Sequence, residues 1–325
     1  MTEQIKVTRE GAVETIAFAN PPKNFITRQM LKELYDELLR ARRDASVRAL
    51  VLTGGIKDSF LTHYDVTELI EYARLVPKPP ARLNDLAARV MAWFLAQAHR
   101  HPFLDRLLIR MFASRSPGEQ GIYFWARCLD LLDTMPQPVI AAINGLSLGG
   151  GCEIALCCDF RFMAKGEHYR IGLPEVLVGI IPGGTGTPLR LPRVVGEAKA
   201  LEVLLTGKLY TPEEAEAFGL ISQAVAPERL MPLVMDLAQT LARRAPIAVA
   251  AAKRDVRLGS RLSYSQGRAV DLAAVGATMA SADAVTGMKK YVEDLVAKYD
   301  GLDLERMLQD AETLEAGRLI EYQGK

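Results

Sequence analysis

Cysteine and histidine are scarce in this chain of 325 residues, with four of each. The cysteines are Cys128, Cys152, Cys157 and Cys158, with no CxxC pair and no Cys/His spacing suited to zinc. Three of them sit in an apolar segment, where a free thiol behaves as a small buried hydrophobe. That argues for a reducing compartment and against a disulfide framework. His99 and His101 lie two apart with no further ligand nearby, so no metal is expected. Charge of one sign is not in excess either: 40 Lys and Arg face 39 Asp and Glu, a net charge of +1. This balance argues against a protein that coats nucleic acid or anionic membrane. The first eleven residues are polar and lack a signal-peptide core. The most apolar long run, Val139 to Cys158, is interrupted by Asn144, Ser147, Glu153 and several glycines, which makes it a poor membrane span. A cytoplasmic, soluble protein is expected. Fixed-period repeats and low-complexity linkers are absent too.

What remains is an ordinary globular composition, 49% hydrophobic and 24% charged, sufficient for one large domain or two modest ones. Residues 5–19 read as two strands around a turn at Glu10-Gly11. Thr27 can cap a helix over 28–43, whose apolar residues Met30, Leu31, Leu34 and Leu38 recur at helical spacing. Ala49–Leu52 reads as a buried strand ending at Gly54-Gly55. Val139–Ile143 reads as a strand followed by a turn at Asn144-Gly145, then a helix from Gly149 to Cys158 and a strand at Phe160–Met163. Such a mixture indicates an α/β or α+β protein. From about 196 the chain turns helical over Glu197–Thr206, Thr211–Phe218, Pro227–Arg244 and Pro246–Gly259, with further amphipathic helices over 262–325. Thr211-Pro212-Glu213-Glu214 has the form of a helix start. The stretch 75–120 differs in character. It opens on Pro77, Pro79 and Pro80 and suggests helices near Arg82–His99 and Pro102–Phe112; between Arg74 and Arg115, eight Lys and Arg stand against Asp85 and Asp105.

Two segments could carry chemistry. In Asn144-Gly145-Leu146-Ser147-Leu148-Gly149-Gly150-Gly151-Cys152-Glu153, three glycines fall between a strand and a helix. They let backbone approach a ligand closely, and unpaired amides at a helix start favour negative charge. That suits a carbonyl oxygen becoming an enolate, although tight helix packing would use the same glycines. Glu175, twenty-two residues beyond Glu153, ends Gly172-Leu173-Pro174-Glu175, and Gly179 to Gly186 follows with Pro182 and Gly183 inside. Carboxyl groups in apolar surroundings titrate late and can serve as acid or base near neutrality. Taken singly, Glu153 could equally be a helix-dipole partner and Glu175 a solvated loop residue.

Together, these segments resemble the crotonase (enoyl-CoA hydratase/isomerase) superfamily. NGLSLGGGCEIALCCDFRFMA is similar to the family's second oxyanion-hole signature, and GLPEVLVGIIPGGTGTPLRLPRVVG to its second catalytic-glutamate signature. VRALVLTGG (47–55), LTGKLYTPEEAEAFGLISQAV (205–225) and AAAKRDV (250–256) extend the likeness over most of the chain outside 75–120 and the tail. The resemblance implies a spiral of ββα units over 1–258, helically interrupted at 75–120. It also implies a C-terminal helical region, 259–325, that packs a homotrimer or dimer of trimers. It implies an acyl-CoA thioester substrate, with coenzyme A arriving as part of that substrate and no separate cofactor. Gly150, flanked by Gly149 and Gly151, would donate one oxyanion hydrogen bond. Glu175 would protonate Cα and Glu153 would position or deprotonate water.

The first oxyanion signature departs from the family. Ser59-Phe60-Leu61-Thr62-His63-Tyr64-Asp65-Val66 keeps Phe60 and Asp65 but puts Tyr64 at the donor position and His63 before it, where the family has small residues. Either only the Tyr64 amide matters, or His63 or Tyr64 lines the acyl pocket and adds acid–base chemistry. Asp283-Ala284-Val285-Thr286 is a further departure near the packing helices. The expected activity is hydration of a 2-enoyl-CoA. The alternatives are a family carbon–carbon bond hydrolase, an isomerase, or a non-catalytic acyl-CoA-binding protein.

Overall fold

The computed structural model describes residues 3–75, 85–90, 93, 107, 117–182, 186–298, 301 and 303–324. The early elements form as their patterns require. Strands β1 (Ile5–Glu10) and β2 (Val13–Phe18) pair as an antiparallel hairpin. Thr27 caps α1 (Arg28–Arg43) by accepting from the Met30 N–H, and Met30, Leu31, Leu34 and Leu38 face inward. Strand β3 (Ala49–Gly54) is buried almost throughout because both of its faces are covered. Leu50 and Leu52 enter the core that holds α1, while Ala49 and Val51 enter a second core.

The chain then winds in repeated units, each placing one strand in a large sheet, one in a small sheet, and then a helix. β3 leads to β4 (Asp58–Leu61) and α2 (Val66–Leu75). After α3 (Pro117–Thr134), β5 (Val139–Ile143) leads to β6 (Gly145–Leu148) and α4 (Gly150–Cys157). β7 (Phe160–Ala164) leads to β8 (Ile171–Gly172), a 3-10 turn at Glu175–Val178, and α5 (Thr187–Val195). Then come α6 (Glu197–Thr206), β9 (Leu209–Tyr210), α7 (Pro212–Phe218) and β10 (Gln223–Val225). The large sheet runs β1-β2-β3-β5-β7-β10 and the small one β4-β6-β8-β9. Beyond the first hairpin the large sheet is parallel, whereas β9 closes the small sheet antiparallel. Helix α8 (Pro227–Ala242) covers the outer face of the large sheet with Leu230, Val234 and Ala238.

Asn144-Gly145 is not the free turn expected from sequence. Strand β6 begins at Gly145, and the Asn144 side chain makes the crossing by accepting from Gly54 N–H (3.0 Å) and donating to Gly54 O and Ile56 O (3.1 Å each). Helix α5 also escaped the sequence reading, because Pro188 and Pro192 mask its periodicity. Pro188 falls in the first turn, where a missing N–H costs nothing. The helices expected near 82–99 and 102–112 lie largely outside the described residues, although 85–90 is helical.

Helix α9 (Pro246–Arg257) returns to the entries of β5 and β7, where Lys253 donates to Gln137 O and Arg257 to Asp159. Beyond it, α10 (Tyr264–Met279) and α12 (Leu304–Glu315) bury none of their residues, and α11 (Ala282–Asp294) buries Asp283 and Gly287. Asp283 holds the C-terminal segment, its two oxygens accepting from the N–H groups of Gln323 (2.8 Å) and Gly324 (2.7 Å). All four cysteines are buried free thiols.

Candidate active site

Three strands of the small sheet, β4, β6 and β8, lie side by side and parallel, so their C-terminal ends emerge together. In open α/β sheets this is where ligands bind. The end of β4 delivers His63, Tyr64 and Asp65; that of β6 delivers Gly149–Gly151 and then Glu153; that of β8 delivers Glu175. Backbone bonds lock the ends together: Leu148 N–H donates to Thr62 O and Gly149 N–H to Gly172 O, each at 2.9 Å.

Gly149 is the pivot. Its φ of 50° lies in the left-handed region. A Cβ there would stand 2.9 Å from Glu175 Oε1 and 3.6 Å from His63 Cβ, so the bare backbone is the surface on which these two side chains meet. Gly150 opens α4, where a first-turn N–H has no intrahelical acceptor and the dipole favours anionic charge. Gly151 rests over the Leu61 carbonyl, 2.2 Å from where its Cβ would be.

The two glutamates reach similar acidity by different routes. Glu153, in the first turn of α4, is 3% exposed. Burial pushes its carboxyl up to about 7, a hydrogen bond from Thr187 Oγ1 (2.6 Å to Oε2) pulls it down, and repulsion from Glu175 pushes it up again. Glu175 opens the 3-10 turn, and burial likewise raises it to about 7. Its Oε2 is buried without a hydrogen-bond partner. An unsatisfied buried oxygen is destabilising and is a recurrent feature of functional sites.

Tyr64 turns its ring inward. It is 8% exposed, lies edge-on to Trp125 (6.2 Å between centroids) and donates through its hydroxyl to Glu68 Oε2 at 3.0 Å. The neighbouring peptide groups are committed to Ile26: Ile26 N–H donates to His63 O (2.9 Å) and Asp65 N–H to Ile26 O (2.8 Å). In a parallel bridge of this kind the Tyr64 N–H faces the opposite side. His63 stacks on Phe25 (4.4 Å) and donates from Nδ1–H to Tyr64 O (2.7 Å). The Asp65 carboxylate accepts from Thr67 N–H (2.9 Å) at the start of α2. Pro182 is buried, and Gly183 lies outside the described residues.

Sequence reasoning missed the shell behind Glu153. Arg190 donates from Nη1 to Thr187 Oγ1 (3.4 Å) and from Nε to Asp133 (3.1 Å). Arg257 joins Asp133 (2.7 Å) to Asp159 (2.8 Å), and Lys253 completes the chain at Asp159 (2.6 Å). Thr187, Arg190 and Lys253 fall in segments that resemble the family, but nothing local marks their roles, since their partners come from other helices and from the turn at Asp159. A cavity of ≈ 770 Å³ opens against this network, lined by Arg161, Arg193, Lys253 and Arg261 among others; neither glutamate lines it.

Strand ends that bring two late-titrating carboxyls to a glycine-rich helix start define an enzyme site suited to proton transfer beside an anionic oxygen. The enoyl-CoA hydratase/isomerase family profile matches residues 8–84 and 116–302, and the chain belongs to that family. The unmatched 85–115 falls within the basic stretch singled out from sequence. A putative enoyl-CoA hydratase/isomerase of Bacillus subtilis is 42% identical over 54% of this chain and 66% of its own length. A crotonyl-CoA hydratase of Syntrophomonas wolfei is 30% identical over 87% of this chain and 93% of its own. The crystal structure of an enoyl-CoA hydratase from Bacillus anthracis superposes with a TM-score of 0.70 at 26% identity, covering 90% of this chain and 96% of that one. The protein is thus an enoyl-CoA hydratase-like enzyme with the crotonase fold.

Proposed function

We propose that this site adds water syn across the double bond of a 2-enoyl-CoA. The thioester oxygen sits between the N–H groups of Tyr64 and Gly150. Water attacks Cβ as Glu153 takes its proton, and electron density moves onto the oxygen as an enolate. Glu175 then delivers a proton to Cα, and the enolate collapses to the 3-hydroxyacyl thioester. Each amide donor contributes on the order of 10²–10³ in rate, and each carboxyl roughly 10²–10⁴. The observation that carries this reading is the pair of carboxyls raised to about 7 on either side of the Gly149–Gly151 turn. One group must start ionised and the other protonated, which two acidities near neutrality allow. Coenzyme A enters as part of the substrate.

An isomerase needs one carboxyl to shuttle a proton, so the second one favours hydration. A carbon–carbon hydrolase would draw on His63 and Tyr64, but the Tyr64 hydroxyl is committed to Glu68. Residues 1–258 form the catalytic part of this proposal. Residues 259–325 serve assembly as a trimer or dimer of trimers, which fits Tyr264, Leu272, Val275 and Met279 standing 52–85% exposed along α10. The buried free thiols suit a reducing cytoplasm. The test is hydration of crotonyl-CoA by the wild type and by Glu153→Gln and Glu175→Gln. The proposal stands if the wild type turns over and both variants lose at least about 100-fold in kcat. Wild-type turnover in both variants, or none in the parent, overturns it.

A further inference from the structure

Glu68 takes no part in the chemistry proposed above, yet its half-buried side chain bonds to the tyrosine of the aromatic departure in the sequence. Its Oε2 accepts two hydrogen bonds, from the Tyr64 hydroxyl (3.0 Å) and from the Arg28 N–H (3.1 Å) at the first residue of α1. A carboxylate is well placed at a helix N-terminus, where unpaired amides and the dipole favour it. One side chain therefore ties the tyrosine to the start of a sixteen-residue helix whose inner face is fully packed.

The space for this arrangement comes from α3. A Cβ on Gly121 would lie 2.1 Å from the Tyr64 hydroxyl oxygen. Glycine inside a helix costs roughly 1 kcal/mol relative to alanine, so its position directly beneath that hydroxyl reads as room made for the ring. Trp125, one turn further along the same helix, supplies the wall against which the ring packs. The Tyr64 carbonyl is held in turn by His63 Nδ1–H at 2.7 Å. Backbone bonds to Ile26 on both sides, a hydrogen bond at the carbonyl and the buried phenol together leave one group of Tyr64 facing the site, its N–H.

We propose that Glu68 is a positioning residue. Through the Tyr64 hydroxyl it holds the aromatic ring out of the acyl site and fixes the Tyr64 N–H as an oxyanion donor, with Gly121 as the socket for that phenol. This rests on reading the Tyr64 N–H as an oxyanion donor. It explains how a bulky residue occupies a position where the family resemblance calls for a small one.

The experiment compares Glu68→Ala, Glu68→Gln, Tyr64→Phe, Gly121→Ala and the Glu68→Ala/Tyr64→Phe double variant, with melting curves to establish the folded fraction. Two readouts are taken. One is kcat and KM for crotonyl-CoA. The other is the red shift of bound 4-dimethylaminocinnamoyl-CoA, whose band reports carbonyl polarisation without turnover. Glu68→Ala, Tyr64→Phe and Gly121→Ala each lower kcat about 5- to 30-fold with KM within about twofold, less than outright loss of a donor. Each also shrinks the red shift. Glu68→Gln keeps both acceptor bonds and stays near wild type, and the double variant is no worse than its worse parent. Unchanged kcat and red shift in Glu68→Ala overturn the proposal, as does additivity in the double variant or a kcat loss that only tracks the folded fraction. A parent that shifts the band but does not hydrate crotonyl-CoA sinks the hydration reading and leaves the clamp standing. A parent with no shift sinks the clamp.

Discussion

Glu153 and Glu175 are both held at a pKa of about 7, but the structure holds them in opposite ways. Glu153 belongs to a helix, is nearly sealed from solvent, and receives a hydroxyl that is itself anchored by Arg190 and Asp133. Glu175 belongs to a four-residue turn, and one of its oxygens is buried with no donor at all. Burial raises both; a hydroxyl from another helix opposes the rise at Glu153, whereas at Glu175 the opposing hydrogen bond comes from its own backbone. A late-titrating carboxyl can therefore be built on a rigid support with a donor from another helix, or on a short turn with one oxygen left bare against backbone. The first kind is set by its donor, the second by the shape of the wall.

The largest effect that separates the two comes from the wall. Gly149→Ala puts a side chain at a φ of 50° and 2.9 Å from Glu175 Oε1. We expect kcat to fall about 10- to 100-fold, as misplacement by about an ångström does, with a stability loss of about 1–2 kcal/mol. A Gly149→Ala enzyme at wild-type kcat would break the comparison.

Thr187→Val acts on the other carboxyl alone. Losing a hydrogen bond to a charged group costs about 1.5–3 kcal/mol of its ionised form. The limb of the kcat/KM profile that reports Glu153 ionisation therefore moves up by about one pH unit or more. The limb reporting Glu175 stays in place to the extent that the two titrate independently; a joint movement would show them titrating as one coupled pair. Profiles measured between pH 5 and 9 distinguish these outcomes.

The last effect is read in stability and not in rate. A carboxyl raised from 4.5 to about 7 by folding binds its proton more tightly in the folded than in the unfolded state. Its contribution is fully present below pH 4.5 and declines as pH rises towards 7, because the unfolded chain ionises first. For Glu153 this amounts to about 3 kcal/mol at most. Glu153→Gln should therefore gain melting temperature over wild type at pH 8 and lose that advantage at pH 5. An equal difference at both pH values would show that Glu153 is not desolvated as its surroundings indicate.

Much of the architecture was legible residue by residue. Thr27 caps α1, Thr211 forms a capping box with Glu214, and helix Glu197–Thr206 runs between the residues expected. These features depend on neighbours within a few positions, which sequence displays. Strand β6 was hidden because the Asn144 side chain bonds to Gly54 and Ile56, about ninety residues away. Helix α5 was hidden by prolines tolerated for their place in the turn. At the site, Glu153, Glu175 and Gly150 could be picked out by resemblance, and the structure brings both glutamates to one glycine turn. Glu175 looked like a possible solvated loop residue until its seat against Gly149 was visible. Thr187, Glu68 and Gly121 carry no local signal, because each matters only through a partner that is distant in sequence or lies on another element.

By itself the sequence determined the first helix, most helices beyond residue 196, strands β1, β2, β3, β5 and β7, the glycine turn and the family resemblance, because hydrophobic period, capping and backbone permissiveness are local properties. Tertiary structure decided that β4, β6 and β8 end side by side, that Glu153 takes a donor from another helix while one oxygen of Glu175 is buried without one, and that Tyr64 points into the core. Those outcomes depend on desolvation and on contacts between strands and helices far apart in the chain, which exist only once the spiral has closed.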